Sequence, residues 1–181
     1  MRLIYQAQRR FNQERIMKYL MMLLLAFSIS AGELDEVRSL GVGFGEGLPI
    51  YVFASPTCPH CKRFHQQVTP KLIEGGYEVI YFMIAHDGAK SYKRAAEVYC
   101  AEDKKSQLNE FHATLLPEQL VDGTACMGVV DASMQLAATY EVNATPTVVL
   151  PDETTIKGVP DAYELMMRYL QAMNQVAKGH K

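Results

Sequence analysis

Two cysteines separated by two residues, Cys58-Pro59-His60-Cys61, constrain this chain more than any other feature of its sequence. The apolar run over residues 50–53 before them is rich in β-branched and aromatic side chains, which predicts a buried strand. After them, Phe64, Val68 and Leu72 recur every four residues, which predicts one face of a helix. The cysteine pair is therefore expected at the point where a strand turns into a helix.

This position gives the two cysteines different chemistry. Cys58 falls at the helix N-terminus, where unpaired backbone N–H groups and the helix dipole stabilise a thiolate. Such motifs lower the thiol pKa from roughly 8.5 to between ~3.5 and ~7. We therefore predict Cys58 as the nucleophile and Cys61, one turn inward and buried, as the resolving thiol. His60 is expected to donate to the thiolate or to hold a positive charge near it, and Pro59 to preset a helical φ.

A second informative stretch is Thr145-Pro146, which precedes an apolar run over residues 147–150. Proline lacks an N–H group, so Pro146 should start a strand and not lie within one. In a redox site of the thioredoxin type a cis-proline lies against the cysteine pair, and a cis bond costs only ~0.5–1 kcal/mol before proline. We predict that Pro146 is cis and that Thr145 offers backbone groups to an extended substrate chain. An ordinary trans proline at a strand start is the alternative.

The remaining cysteines, Cys100 and Cys126, are far apart and form no second closely spaced pair, which a structural zinc site usually needs. Four cysteines allow three pairings. With Cys58 and Cys61 as the redox pair, Cys100 and Cys126 are left to form a structural bridge that closes a loop of roughly 25 residues. A second redox pair is the alternative.

The rest of the pattern predicts an α/β fold with a mixed central sheet flanked by helices. A continuous apolar run over residues 79–84 indicates a second buried strand, parallel to its neighbour. Polar helical patterns over residues 89–125 indicate a helical insertion between that strand and the cis-proline strand. Pro70 predicts a kink in the active-site helix, an edge strand is expected at residues 154–157, and Asp161 should cap the last helix.

Several side chains can be assigned to a face of their helix. His65 and His112 are both predicted at the surface. A helix over residues 130–141 should turn Met134, Ala137 and Tyr140 inward. The last helix is expected to face the core through Ala162, Leu165, Met166, Tyr169, Leu170 and Met173.

The first 31 residues have the pattern of an export signal. Basic residues precede an apolar run of about 11 residues, which suits the h-region of a signal peptide and falls short of the ~20 that a membrane span needs. Small residues follow it at Ser30, Ala31 and Gly32. We predict a signal peptide over residues 1–31, with 1–16 as a possible start-site extension before Met17. An uncleaved anchor is the alternative.

Two further segments follow the predicted signal. Residues 32–48 are predicted to be a short linker, with a flexible glycine-rich connector over 41–47, and residues 49–176 to form the catalytic domain. Residues 32–181 carry 13 Lys and Arg against 19 Asp and Glu, a net charge of −6. This balance argues against a nucleic-acid partner. No sequence pattern for a nucleotide, flavin or haem cofactor is visible.

The chain resembles the catalytic domain of the bacterial periplasmic thiol:disulfide interchange proteins of the DsbC/DsbG type over about residues 49–170. The shared motifs, in order, are Val52-Phe53, Cys58-Pro59-His60-Cys61-Lys62 with Phe64-His65, Tyr99-Cys100-Ala101-Glu102-Asp103-Lys104, Cys126, and Ala144-Thr145-Pro146-Thr147. The resemblance implies a thioredoxin-like fold, Cys58 as nucleophile and Cys61 as resolving cysteine. It also implies a cis Pro146 and a structural Cys100–Cys126 disulfide.

Two departures from this family affect the expected function. Its members carry an N-terminal dimerisation domain, whereas 18 residues, 32–49, separate the expected cleavage site from the first strand. We therefore expect a monomer or weak dimer. Pro59-His60 also resembles the dipeptide of the DsbA-type oxidases, whose potential is near ~−120 mV against ~−270 mV for thioredoxin.

The sequence thus predicts an exported, periplasmic thiol:disulfide oxidoreductase or isomerase that acts on cysteines of exported proteins and exchanges electrons with a membrane redox partner. A DsbA-type dithiol oxidase is one alternative. Another is a module that binds a soft metal such as Cu(I) through Cys58 and Cys61, with or without His60. A third is an accessory protein with a vestigial site.

Overall fold

The computed structural model of the protein describes residues 33–114 and 121–179. The predicted signal over residues 1–31 lies outside the described residues. In chain order the elements are α1 (Glu33–Glu36), a 3-10 turn (Arg38–Leu40), β1 (Val42–Phe44), β2 (Leu48–Ala54), α2 (Pro59–Gln67), α3 (Thr69–Glu74), β3 (Tyr77–Met83), α4 (Ala89–Cys100), α5 (Lys104–Thr114), a second 3-10 turn (Thr124–Cys126), α6 (Met127–Thr139), β4 (Thr147–Val149), β5 (Thr155–Lys157) and α7 (Ala162–Gly179).

Within this described part, five strands form one mixed sheet in the order β1-β3-β2-β4-β5. β2 and β3 run parallel, with Val52 opposite Tyr81, and β4 pairs antiparallel with the other edge of β2. Both parallel strands are buried on both faces, which explains why their sequences are apolar without alternation. The predicted mixed sheet, its parallel pair and the helical insertion between β3 and β4 are confirmed.

Alternate residues of β2 enter two separate cores, one on each face of the sheet. Val52 packs in the larger core with residues of α2, α4, α5 and α7, among them Phe64 and Phe111. Phe53 packs in the smaller core with Leu136 of α6. The sheet therefore fixes the end of β2 from both sides, and the turn that carries the cysteine pair starts from a rigid support.

The predicted flexible connector over residues 41–47 is wrong for its central part, because Val42–Phe44 forms β1 and pairs antiparallel with β3. Val42 and Phe44 both reach the larger core. Gly43 lies between them, where an added Cβ would come within 2.4 Å of a carboxylate oxygen of Glu78. That oxygen is the end of a flexible side chain, which can move aside, so packing does not make glycine necessary here. A glycine-rich composition nevertheless does not identify a loop at this position.

Pro70 interrupts the active-site helix as predicted. α2 ends at Gln67, and α3 begins at Thr69 with the proline in its first turn, where a missing N–H group costs no helical hydrogen bond. Asp161 also takes its predicted position, because its Oδ1 accepts the N–H groups of Tyr163 (2.9 Å) and Glu164 (3.2 Å) at the start of α7. None of the helices in residues 33–114 and 121–179 is long and apolar enough to cross a membrane.

Two predicted helix faces need correction. On α6 the buried side chains are Val130, Ser133, Leu136 and Ala137, while Met134 is 38% exposed. On α7 the core face consists of Ala162, Leu165, Tyr169 and Ala172, and the predicted core residues Leu170 and Met173 are exposed. Ala137 on α6 and Ala162, Leu165 and Tyr169 on α7 are buried as predicted, so the predicted faces overlap the buried ones and fail only at their exposed edges.

Candidate active site

The cysteine motif lies where β2 turns into α2, as the sequence predicts. β2 ends at Ala54, and the N–H of Cys58 donates to the carbonyl of Ser55 (3.1 Å), which closes the turn. Cys58 is the N-cap residue of α2, with Pro59 in the first helical position. The first sulfur therefore lies beside the unpaired N–H groups of a helix N-terminus.

The two sulfurs differ in their surroundings. Cys61 is fully buried and Cys58 is 7% exposed, and both are free thiols. Cys61 Sγ accepts the N–H of Ser55 at 3.4 Å, and in the thiol form Cys58 Sγ donates to the carbonyl of Thr145 at 3.4 Å. The pair is thus enclosed between the β2–α2 turn and the loop before β4.

That loop contains the one peptide bond in the described residues that is cis, Thr145–Pro146. The carbonyl of Pro146 accepts the N–H of Gly158 (2.8 Å), which ties the loop to the end of β5. Thr147 Oγ1 donates to the carbonyl of Ala144 (2.8 Å) within the loop. These bonds hold Thr145 against Cys58. The roles of Thr145 and Pro146 toward a substrate remain predictions.

The surroundings lower the pKa of Cys58 from 9.0 to about 5. The largest cause is the hydrogen bond that the Cys61 thiol donates to the Cys58 thiolate, and the backbone N–H groups of Cys61 and His60 act in the same direction. Burial opposes them. At neutral pH Cys58 is therefore a thiolate, which is the reactive form of cysteine.

Burial raises the pKa of Cys61 far above its usual value, and the neighbouring Cys58 sulfur raises it further. Cys61 therefore stays protonated while Cys58 is ionised. The site holds one nucleophile and one protonated thiol in contact, which is the arrangement that attack on a disulfide followed by intramolecular resolution requires.

His60 does not act on Cys58 in the predicted way. Its side chain is exposed, and its Nδ1 is hydrogen-bonded to Nη2 of Arg63 one turn further along α2. The backbone N–H of His60, and not its imidazole, contributes to the low pKa of Cys58. The helix directs this exposed side chain along its own surface, toward position i+3.

Sequence reasoning missed two groups that complete the turn. Ser55 is fully buried at the end of β2 and supplies the N–H that contacts Cys61. Thr57, next to Cys58, donates from Oγ1 to the carboxylate of Asp87 (3.3 Å) in the loop after β3. A polar residue directly after an apolar strand was the available signal for Ser55, whereas the Thr57–Asp87 contact is purely tertiary.

The predictions that His65 and His112 lie at the surface are wrong. His112 is fully buried, and His65 is packed between the rings of Phe44 and His112. The ring of His65 is hydrogen-bonded to Asn109 Oδ1 (2.7 Å) and to the hydroxyl of Tyr81 (3.2 Å). The cause is the packing of α5 against α2, which no local pattern indicates.

His112 gives a prediction for the dependence of stability on pH. Burial, with the nearby His65 and Lys62, lowers its pKa to about 3, and within the described part of the chain neither ring nitrogen has a hydrogen-bond partner. Below about pH 6.5, His112 is protonated in the unfolded chain but stays neutral in the folded protein. The free energy of unfolding therefore falls as the pH decreases from about 6.5 to 3. At pH 5 this amounts to about 2 kcal/mol.

Urea unfolding at pH 7 and pH 5 measures this loss. In His112→Phe, whose ring cannot be protonated, the decrease in the free energy of unfolding between the two pH values should be smaller by about 2 kcal/mol. His86→Phe, at an exposed histidine, is the control and should keep the wild-type decrease. An equal decrease in His112→Phe and the wild type would contradict the assignment.

Cys100 and Cys126 form a disulfide in the structure, with 5.5 Å between their Cα atoms. The bond joins the end of α4 to the 3-10 turn before α6. It lies in the helical insertion and not at the β2–α2 turn. Its structural role stays a prediction, as does the alternative of a second redox pair.

The soft-metal alternative stays a prediction, because it could use the two sulfurs alone. Among residues 33–114 and 121–179, no three side chains of His, Cys, Asp or Glu are grouped so that they could hold a metal ion.

The chain is similar to known thioredoxin-like and thiol:disulfide interchange proteins. Residues 45–174 match the family model described as a thioredoxin-like domain. The chain is 28% identical over 119 residues to the thiol:disulfide interchange protein DsbC of Dickeya dadantii, covering 65% of this chain and 48% of that protein. It is 26% identical over 122 residues to DsbG of Escherichia coli, covering 62% and 48%. The predicted resemblance to the DsbC/DsbG type is confirmed.

The chain spans about half the length of these curated relatives. The crystal structure of Proteus mirabilis ScsC in a transitional conformation superposes with a TM-score of 0.62 at 19% identity, covering 96% of this chain and 95% of that one. At this identity the likeness concerns the fold alone. Because the family model matches residues 45–174, well over half of the chain, and includes the cysteine pair and the cis-proline loop, the chain belongs to the thioredoxin-like domain family.

Proposed function

We propose that this protein is an exported thiol:disulfide oxidoreductase that exchanges disulfides with cysteines of other exported proteins. The observation that carries the proposal is the opposite shift of the two thiol pKa values. The pKa of Cys58 is lowered to about 5, and that of Cys61 is raised by burial. The names of the curated relatives, both thiol:disulfide interchange proteins, support it.

In the reducing direction, the Cys58 thiolate attacks one sulfur of a substrate disulfide. A mixed disulfide forms between Cys58 and that sulfur, and the other substrate sulfur leaves as a thiolate. Cys61 then loses its proton and attacks Cys58 Sγ. The substrate cysteine leaves reduced. The Cys58–Cys61 pair has given two electrons to the substrate and is now a disulfide.

Isomerisation shares the first step and differs in the second. A second thiolate of the substrate attacks the mixed disulfide, which releases Cys58 as a thiolate and leaves the substrate with a new disulfide. The oxidising direction is the reverse of reduction. A substrate thiolate attacks Cys58 in the Cys58–Cys61 disulfide, and Cys61 leaves as a thiolate. Cys58 contacts the substrate in each case.

Two observations favour the oxidising direction. The low pKa of Cys58 stabilises the reduced form of the pair relative to its disulfide, and a stabilised reduced form makes a strong oxidant. The Pro59-His60 dipeptide resembles that of DsbA-type oxidases. The relatives DsbC and DsbG keep isomerisation as the second candidate.

The location and partners are part of the proposal. The basic and apolar pattern of residues 1–31 supports export to the periplasm. In that compartment the site needs a membrane redox partner to restore the Cys58–Cys61 disulfide or dithiol after each turnover. We propose a monomer or weak dimer in which Thr145 and Pro146 contact the extended substrate chain.

The test supplies the purified protein with two forms of one disulfide protein, reduced unfolded chains and chains with scrambled disulfides. An oxidase accelerates recovery of native activity from the reduced chains when the protein is added as its disulfide. An isomerase accelerates recovery from the scrambled chains when it is added as its dithiol. Recovery at the uncatalysed rate in both reactions would refute the proposal.

A further inference from the structure

A cavity of about 520 Å³ lies beside the active-site turn, between the loop after β3, helix α4 and the start of α6. We call it the α4–α6 cavity and define it by Ala85, Ala89, Tyr92, Ala96, Gly123 and Met127. The reaction steps described above make no use of it. Its volume falls within the range of ordinary ligand sites.

The cavity is connected to the reacting cysteine through its loop wall. Ala85 and Ala89 line it, and Asp87 between them accepts the hydrogen bond from Thr57. Thr57 directly precedes Cys58. The loop that forms this wall therefore contacts the residue directly before Cys58.

The opposite wall is fixed by the insertion. Gly123 and Met127 flank the 3-10 turn that the Cys100–Cys126 disulfide ties to the end of α4. A Cβ at Gly123 would come within 2.7 Å of the α4 backbone at Ala96, so the two walls already touch at the base of the cavity. A disulfide therefore fixes one wall of the cavity to α4.

The lining is apolar in character. The Tyr92 hydroxyl donates to Asp131 (2.7 Å) and to the carbonyl of Met127 (3.1 Å), so its polar group is already satisfied by α6. The charged side chains that line the cavity, Lys93 and Asp122, have opposite signs. The cavity therefore does not select a charged ligand, and it favours an apolar group.

Two exposed methionines border this region on one face of α6. Met127 is 37% exposed and Met134 is 38% exposed, seven residues apart. Met134 Sδ accepts the N–H of Ala85 at 3.2 Å, which places it beside the cavity loop. Methionine side chains are flexible and polarizable, so they suit a surface that must accept apolar side chains of different shape.

We propose that the α4–α6 cavity receives a large apolar side chain of the substrate polypeptide, of the size of Leu, Ile, Met or Phe, that lies close in sequence to the reacting cysteine. This inference rests on the proposed function and adds a substrate preference to it. An extended chain advances about 3.3 Å per residue, so two to four residues cover about 7–13 Å. An unfolded chain exposes apolar side chains that the folded protein buries.

The test uses peptides with one cysteine in a mixed disulfide with glutathione. Each peptide carries leucine at one position two, three or four residues from the cysteine, on either side, and its partner peptide carries serine there. The rate constant for attack by the reduced protein is measured for each. The proposal predicts that leucine at one or more positions gives a rate constant about tenfold above that of serine, which corresponds to burial of most of an apolar side chain.

Variants of the cavity wall then test whether the preference for leucine over serine depends on the α4–α6 cavity. Ala89→Phe places a ring in the cavity and should reduce the leucine-to-serine ratio to below about threefold. Ala177→Phe, the same change at an exposed alanine of α7, should keep the wild-type ratio. If Ala89→Phe does not fold, Met127→Gln serves in its place, because it keeps the size of the side chain, makes the wall polar and should lower the ratio in the same way.

Absence of a leucine preference at every position would overturn the inference, as would a preference that Ala89→Phe and Met127→Gln both retain. The serine peptides distinguish failure of the cavity assignment from failure of the proposed function. If the wild-type protein exchanges with serine peptides but shows no leucine preference, the cavity assignment fails and the proposed function stands. If it exchanges with none of the peptides, the proposed function itself fails.

Discussion

Replacing Cys58 with serine is expected to lower the rate of disulfide exchange by at least about a thousandfold, because a serine hydroxyl is not ionised at neutral pH and cannot form a mixed disulfide. The position is nearly buried, and serine has almost the same shape, so the fold should persist. The rate is measured with glutathione disulfide and with a reduced unfolded protein, and circular dichroism verifies the fold.

The matched control for this variant removes the other cysteine pair. The double variant Cys100→Ser/Cys126→Ser, assayed at a temperature where it remains folded, should keep exchange, because that disulfide lies in the helical insertion away from the β2–α2 turn. The opposite pattern, activity in Cys58→Ser and none in the double variant, would assign the chemistry to the second pair and contradict the account.

Replacing Cys61 with alanine is expected to have two effects that follow from its two contacts. Mixed disulfides should accumulate to at least about ten times the wild-type level, because no second thiol of the protein can attack Cys58 Sγ. The pKa of Cys58 should also rise from about 5, because the largest contribution to its low value is the hydrogen bond from Cys61.

Both effects can be read on the same variant. Mixed disulfides with a substrate protein are counted by mass spectrometry after acid quenching. The pKa is read from the rate of alkylation by iodoacetamide, which falls as the pH decreases through the pKa of Cys58 because the thiolate becomes protonated. A wild-type level of mixed disulfides, or an alkylation midpoint that stays near pH 5, would contradict the assigned roles.

The geometry of the candidate site was predictable because its main features are local in sequence. Two cysteines in the first turn of a helix are brought together by the helix itself, and a proline at a strand start can be cis at little cost. The parallel pair of β2 and β3 was also predictable, since strands buried on both faces have continuous apolar sequences. In these cases the physical cause of the local structure lies within a few consecutive residues.

The errors concern features that depend on distant parts of the chain. His112 is polar and lies on a helix of mixed composition, and only the packing of α5 against α2 buries it. Val42 and Phe44 stand among glycines, and their role appears only when β3 is available as a partner. The apolar residues Met134 and Leu170 are predicted in the core but are exposed, because Leu136 and Ala137 on α6 and Tyr169 on α7 form the buried face.

The low pKa of Cys58 also sets the expected redox behaviour. A folded pKa of about 5 against 9.0 for the free thiol means that the reduced protein gains stability as the pH rises from about 5 to 9, whereas the disulfide form gains none. The reduced form is then favoured at neutral pH. The Cys58–Cys61 pair should accordingly oxidise substrates more readily than thioredoxin does.

The reduction potential of the Cys58–Cys61 pair, measured by equilibration with glutathione buffers at pH 7, tests the central claim most directly. The account predicts one two-electron transition above ~−200 mV, toward the ~−120 mV of a strong oxidase and away from the ~−270 mV of thioredoxin. It also predicts that Cys58→Ser lacks this transition. Absence of a transition in the wild-type protein, a transition that Cys58→Ser retains, or a potential near ~−270 mV would contradict it.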